Sequence, residues 1–286
     1  MSSSDFQREI LASGAYRTPA DMKRRLPDRV LGGTDIWYYL NVIDCFVRGY
    51  FCALRGRMNR RTWAQYSRRM IETAEKCGGR IDVSGARHLA EAPSPPVIAA
   101  NHMSMLETVI LPACVLPFRE MAVIVKETLL NYPFLGPILK QLEHIAVSRK
   151  SAVKDLRTVL TKGPQALRSG CSVLVFPQAT RSVEFDPSRF NTLAVKLAGR
   201  ANAPIIPAAL KTDFLGMGRI IRDFGPVHRK KTIHVKFGAS IPPSTPAPEA
   251  QSAIVEFITR NLKSWGGAVR ERTVKNDSGS SIQPAV

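Results

Sequence analysis

The run Asn101-His102-Met103-Ser104-Met105-Leu106-Glu107 sets an imidazole and a carboxylate five positions apart, directly after the apolar stretch Val97–Ala100. If that stretch is a strand, the placement has chemical weight. Residues just past the carboxyl ends of strands line the ligand crevice of an open α/β sheet. A histidine there can take a proton from a hydroxyl near neutral pH. A carboxylate across the following turn can hold the other ring nitrogen and stabilise the imidazolium. The same residues also read as a helix start, with Ser104 as N-cap and Glu107 closing a capping box. Spacing alone leaves both readings open.

Three cations repeat the placement of His102. The apolar run that begins at Val173 ends in Phe176-Pro177-Gln178, and a turn then presents Thr180 and Arg181. An arginine held at a strand end suits bidentate capture of a phosphate, and it suits a solvated turn as well. Lys126 closes the run Ala122–Lys126, and Arg149 follows His144–Ser148. Three cations and a histidine on one edge of a sheet describe an anion-binding crevice with a base in it.

These residues resemble, in order and spacing, the four sequence blocks of the glycerolipid acyltransferases, the family typified by 1-acylglycerol-3-phosphate acyltransferase. The blocks are Asn101-His102-x4-Glu107, the Lys126 strand with Arg149, Phe176-Pro177-Gln178-Ala179-Thr180-Arg181-Ser182, and Ala203–Leu210. The resemblance spans about residues 80–240. It implies that His102 is the general base on the free hydroxyl of a lysophospholipid, with Glu107 as its partner and no covalent acyl-enzyme. It implies acyl-CoA or acyl carrier protein as donor, and Lys126, Arg149, Thr180 and Arg181 as binders of the acceptor phosphate. Pro204 and Pro207 would shape the acyl-donor side, with Asn101, Ser104, Phe176, Pro177 and Gln178 supporting the motifs.

The chain departs from the family pattern at three positions. The usual aspartate five after the histidine is Glu107, one methylene longer, so a shifted backbone or rotamer must orient His102. The third block usually reads Phe-Pro-Glu-Gly-Thr-Arg-Ser, and here Gln178 and Ala179 replace Glu and Gly. Gln178 keeps an acceptor and loses a charge, while Ala179 disfavours a positive-φ turn. The departures motivate a second reading, the same chemistry on another lysolipid or an amino-acid-derived lipid. They also motivate a third, a basic membrane-binding protein without catalysis.

The elements that must position these groups alternate between strand and helix. Strands are expected at Val97–Ala100, Met121–Val125, His144–Ser148, Ser172–Phe176, Ile205–Leu210 and Ile233–Phe237. Helices are expected at Thr62–Lys76, Leu106–Cys114, Glu127–Leu142, Ser151–Arg168, Asn191–Gly199 and Pro248–Leu262. The fold class is therefore α/β, a mixed and mostly parallel sheet flanked by helices. Residues 1–34 read as a loosely held polar leader, 81–265 as the acyltransferase domain, and 266–286 as a disordered tail. Residues 35–80 read as a helical, membrane-interface element. Its Ile36–Leu54 stretch is rich in Trp, Tyr and Phe, and Arg55, Arg57, Arg60 and Arg61 follow it. Such a segment suits one leaflet with its cations on anionic headgroups, and it suits ordinary core packing too. A second basic run, Arg219 to Lys236, admits the same headgroup reading.

Composition bounds the partners. Across 286 residues, 41 Lys+Arg face 23 Asp+Glu, a formal charge of +18, which favours polyanions. No helix-turn-helix, zinc-finger or RNA-recognition signature accompanies that charge, so an anionic membrane surface is expected and nucleic acid is not. The five cysteines form no Cys-x-x-Cys pair, and no metal or redox cofactor is indicated. The polar N-terminus carries no signal-peptide pattern, and no uncharged apolar run reaches spanning length. These features place the chain peripherally on the cytoplasmic face of a membrane.

Overall fold

Along the central strands, successive side chains enter different cores, so the sheet has to be covered on both faces. In the strand Val97–Ala100, Val97 and Ala99 pack on one side, and Ile98 and Ala100 on the other. The computed structural model describes residues 3–31, 34–178, 180–218 and 222–271. Its strands are β1 (Tyr16–Arg17), β2 (Ile81–Ser84), β3 (Val97–Ala100), β4 (Glu120–Lys126), β5 (His144–Val147), β6 (Cys171–Val175), β7 (Ile205–Lys211) and β8 (Ile233–Phe237). They form one sheet in the order β1-β2-β8-β7-β3-β6-β4-β5. Neighbours are parallel except β1 against β2 and β7 against β8. The mixed, mostly parallel α/β sheet expected from the alternation is the one found.

The first half of the chain supplies α1 (Ser3–Ser13), α2 (Leu26–Val30), α3 (Ile36–Leu54), α4 (Arg60–Lys76), α5 (Arg87–Glu91) and α6 (Leu106–Val115). The second half supplies α7 (Leu135–Lys140), α8 (Ala152–Arg168), α9 (Leu193–Ala201) and α10 (Ala247–Ser264). Helices α1, α3, α4 and α6 cover one face of the sheet, while α8, α9 and α10 cover the other.

Three expectations change here. The leader is not loose over its described residues: Phe6 and Ile10, four apart on α1, are buried, and β1 pairs with β2. Tyr16 and Thr18 donate hydroxyl hydrogen bonds of 2.7 and 2.6 Å to the buried Glu75 carboxylate, tying this segment to α4. Burial holds Glu75 above the usual carboxylate range despite those donors. Second, the single helix expected over Glu127–Leu142 is a 3-10 turn, Glu127–Asn131, followed by α7. Pro133 forces Tyr132 into extended backbone, which ends the turn. Third, the C-terminal segment pairs with the fold through residue 270, where Arg270 N–H donates to the Phe185 carbonyl at 2.8 Å. The remainder of the expected disordered tail, 272–286, lies outside the described residues, as does Ala179.

Helix α3 has two apolar faces. Tyr38, Val42, Cys45, Gly49 and Ala53 are buried, whereas Ile36, Leu40, Ile43, Phe51 and Leu54 are exposed. Asp44 and Arg48 pair at 2.8 Å on that helix, as their spacing predicts. Among the described residues no helix is long and apolar enough to cross a membrane.

Candidate functional site

Five neighbouring strands, β7, β3, β6, β4 and β5, run parallel, so their carboxyl ends share one edge. His102 lies two residues past β3, Lys126 ends β4, Arg149 lies two past β5, and Phe176–Arg181 follow β6. Thr212 follows β7. Sheet topology therefore delivers every expected site loop to one edge of the sheet, the edge where ligands meet such sheets.

The His102 ring stands against the Glu107 carboxylate, with Nδ1 to Oε2 at 2.6 Å. Glu107 is fully buried, and its other oxygen accepts the Met103 and Ser104 backbone N–H groups at 2.9 and 2.8 Å. Thr212 Oγ1 donates to that same oxygen and accepts from Ser104 Oγ at 2.9 Å. Ser104 Oγ in turn accepts the Leu106 N–H at 3.2 Å, in the turn that leads into α6. Met105, and not the expected Ser104, is the N-cap of α6, so of the capping box only the Ser104 N–H to Glu107 Oε1 half forms, while the histidine takes Oε2. A charge removed from water needs such a full set of donors. An ionised carboxylate only accepts, so the contact is one in which Nδ1 donates, and in the neutral imidazole Nε2 is then the basic nitrogen. Among the described residues Nε2 makes no hydrogen bond.

The loop after β6 fixes the histidine from its other side. Gln178, buried, accepts the His102 backbone N–H on Oε1 at 2.8 Å, so the acceptor retained at this position is in use. The Ser182 N–H donates to the His102 carbonyl at 2.9 Å. Phe176 stacks on the imidazole, with ring centroids 4.3 Å apart. Pro177 is buried, and its carbonyl accepts from Asn191. Asn101 bonds both backbone groups of Leu210, at 2.7 and 2.8 Å, locking the end of β3 to β7. Pro207, within β7, is buried opposite Ala99.

The cations are not gathered in the same way. Lys126 and Arg149 are exposed, and their side chains make no hydrogen bond or ion pair among the described residues. Strands lie about 4.8 Å apart, so Arg149 is about 14 Å along the edge from β3 and Lys126 about 10 Å. Arg149 has a φ of 57°, a left-handed conformation costly for a residue with a Cβ. Its backbone N–H is held by Asp155 at 2.7 Å, which also binds Ser148 twice. Arg181, one strand from His102, is ion-paired through Nη1 with Asp223, and Thr180 is exposed beside it. In the second basic run, Arg229 and Lys231 turn to structural acids, Arg229 to Asp28 and Asp35, Lys231 to Asp213. Those two therefore do not face headgroups, while Arg219 lies outside the described residues.

Residues 80–211 match the family model described as Acyltransferase. The 1-acyl-sn-glycerol-3-phosphate acyltransferase of Pseudomonas aeruginosa is 29% identical over 185 residues, covering 62% of this chain and 69% of that protein. The human 1-acyl-sn-glycerol-3-phosphate acyltransferase beta is 28% identical over 213 residues, 73% of each chain. Over that region the chain resembles the 1-acyl-sn-glycerol-3-phosphate acyltransferases. The crystal structure of the 1-acyl-sn-glycerophosphate acyltransferase PlsC from Thermotoga maritima shares the acyltransferase fold. Its TM-score is 0.59 at 18% identity, covering 82% of this chain and 96% of that one.

The sequence reading missed two residues that the structure places at this candidate site. Thr212 sits just past a strand end, where the rule that singled out His102 applies equally. Asp223 gave no signal, since its pairing with Arg181 crosses 42 positions of chain. Among the described residues no group of three or more His, Cys, Asp or Glu side chains is placed to hold a metal ion.

Proposed function

We propose that this acyltransferase moves a fatty acyl chain from the thioester of acyl-CoA or acyl carrier protein to the free hydroxyl of 1-acylglycerol-3-phosphate, giving phosphatidate. The observation that carries the reading is the 2.6 Å contact of His102 Nδ1 with buried Glu107, which leaves Nε2 as a base at the strand edge. Nε2 takes the hydroxyl proton as the oxygen attacks the thioester carbonyl, and Glu107 stabilises the imidazolium formed. Collapse of the tetrahedral intermediate breaks the carbon–sulfur bond, and the imidazolium returns its proton to the departing thiolate. Arg181, adjacent to His102 along the edge, receives the acceptor phosphate on leaving Asp223. Lys126, Arg149 and Thr180 extend that phosphate-binding rim.

The acceptor is dissolved in a membrane, and the exposed face of α3 supports docking on one. Half-burying five Ile, Leu and Phe side chains favours the interface by roughly 5 kcal/mol before ordering costs, at roughly 1 kcal/mol each. Leu26 and Val30 of α2, together with Phe134, are also exposed. Anionic headgroups then meet a chain of charge +18. The protein accordingly works as a peripheral enzyme on the cytoplasmic face of the membrane.

The deciding measurement is thiol release from long-chain acyl-CoA by the purified protein on liposomes. It is run with and without lysophosphatidate, beside His102→Ala and a panel of other lysolipids. Release that requires both lysophosphatidate and His102 is expected. Release by His102→Ala equal to wild type overturns the mechanism, and preference for another lysolipid overturns the acceptor.

A further inference from the structure

Helix α6 begins beside His102 and runs for ten residues, about 15 Å, to the opposite edge of the sheet. At its far end, next to the start of β4, a pocket of about 340 Å³ opens between α4, α1 and Leu116-Pro117. Its polar lining is Arg60, Arg61, Arg68, Gln7 and Gln65, and no acid lines it. Two of the arginines occupy the first turn of α4, the end of a helix where the macrodipole disfavours cations and favours anions. That turn contains no acidic residue to offset them.

The partners these arginines do have leave donors over. Arg60 binds Glu120 at 2.9 Å and the Leu116 carbonyl. Arg61 makes no hydrogen bond or ion pair among the described residues. Arg68 is only 9% exposed; Nη1 reaches Gln7, while its buried Nε has no partner. Burial and the nearby Arg61 hold Arg68 below its ordinary range, against the pull of Glu72. A buried guanidinium with an unmet donor, beside like charges on a helix N-terminus, is costly unless a bound anion supplies the acceptors.

We infer that this pocket binds a small organic phosphate, its phosphoryl or diphosphoryl oxygens held by Arg61 in the first turn of α4 and by Arg68 two turns further along it. The volume exceeds that of a bare oxyanion and falls within the range of small-ligand sites. Ala64, Leu116 and Pro117 give the organic portion an apolar wall. The site is separate from the His102 crevice, and its existence does not depend on acyl transfer.

Pyrophosphate is the first probe, titrated into the full chain at about 0.15 M salt with chloride-matched controls, read by calorimetry and unfolding temperature. Saturable binding is expected in wild type and in Arg181→Ala, with at least a tenfold loss of affinity in Arg61→Gln and in Arg68→Met. Circular dichroism checks the fold of Arg68→Met, and the exposed Arg61→Gln decides alone should that variant not fold. A lipid arm compares vesicles of phosphatidate in phosphatidylcholine with phosphatidylcholine alone. If pyrophosphate does not saturate but phosphatidate binding falls tenfold in Arg61→Gln, the phosphate is a lipid headgroup and the site stands. Unchanged affinity of Arg61→Gln in both arms, or loss of pyrophosphate binding in Arg181→Ala, overturns the proposal.

Discussion

Glu107 is fully buried with both carboxylate oxygens engaged, whereas Lys126 and Arg149 stand exposed on the same edge of the sheet with no side-chain partner among the described residues. In the proposed mechanism the first arrangement would fix the proton-transfer geometry before any substrate arrives, because each group around Glu107 is itself held by another. The second, under the same proposal, leaves long cations free to close on the acceptor phosphate and to lose rotamer freedom when they do. Arg181 is intermediate, a cation of the rim with Asp223 standing where an anion would bind. Pre-organisation belongs where charge develops in the transition state, and adaptability where a ground-state phosphate is gripped.

The sharpest way to break this contrast is to leave the cradle in place and change its charge. Glu107→Gln puts an amide where Oε1 and Oε2 accept from four groups, so its NH2 either faces donors on the Oε1 side or holds His102 in the tautomer whose Nε2 carries the proton. Wrong orientation or tautomer of a catalytic histidine costs about 10³- to 10⁴-fold in kcat, and that loss is expected for Glu107→Gln and at least matched by His102→Ala. Glu107→Asp, which restores the usual residue, should stay within about tenfold of wild type. Steady-state kinetics on liposomes decides it. A Glu107→Gln enzyme with more than a tenth of wild-type kcat would remove the carboxylate from the mechanism.

The rim responds in a different parameter. Arg181→Ala removes a charge-assisted contact with the acceptor, a loss of about 2–3 kcal/mol or roughly 10²-fold, expected in KM for the acceptor more than in kcat. Asp223→Asn releases Arg181 without touching it, and should lower that KM a few-fold. Opposite shifts of KM in the two variants would sharpen the contrast. A fall in kcat alone for Arg181→Ala would place the arginine with the pre-organised half of the site.

Thr212 tests whether the cradle extends beyond the motif residues. Its hydroxyl donates to Glu107 and is reached by Ser104. Thr212→Val keeps the shape and deletes one hydrogen bond to a carboxylate, a change of about 1.5–3 kcal/mol. About tenfold lower kcat with unchanged KM is expected, with recovery in Thr212→Ser. A variant that loses stability but keeps kcat would make Thr212 a structural partner only.

What the sequence disclosed and what it withheld follow the range of the contacts. The strands β3 to β7 were legible because a sheet covered on both faces writes largely apolar runs, and β8 because its Ile-His-Val-Lys-Phe alternates. The two-residue β1 and four-residue β2 wrote too little pattern to stand out, and Pro133 divided what periodicity joined into one helix. His102 and Glu107 are local, five apart, so both uses of the carboxylate were visible from spacing. Thr212 reaches Glu107 across 105 positions, and Arg229 reaches Asp28 across 201, which no local pattern records. The polar leader concealed Phe6 and Ile10, because average polarity says little about a single helical face.

The smallest expected effect lies at Arg149, where the adaptable half of the site rests on backbone that is anything but relaxed. A φ of 57° costs an arginine roughly 1 kcal/mol that glycine would not incur, and Asp155 holds the turn through three hydrogen bonds. Arg149→Ala deletes the cation and keeps the strain, while Arg149→Gly deletes both and gains unfolded-state entropy. Arg149→Gly should therefore unfold roughly 1–3 °C above Arg149→Ala, after strain relief is offset by that entropy. Both variants should raise KM for the acceptor by the same few-fold factor, since the guanidinium is gone from each. Equal unfolding temperatures would mean that the turn holds no strain. Unequal KM values would mean that the backbone itself, and not only the charge it presents, meets the phosphate.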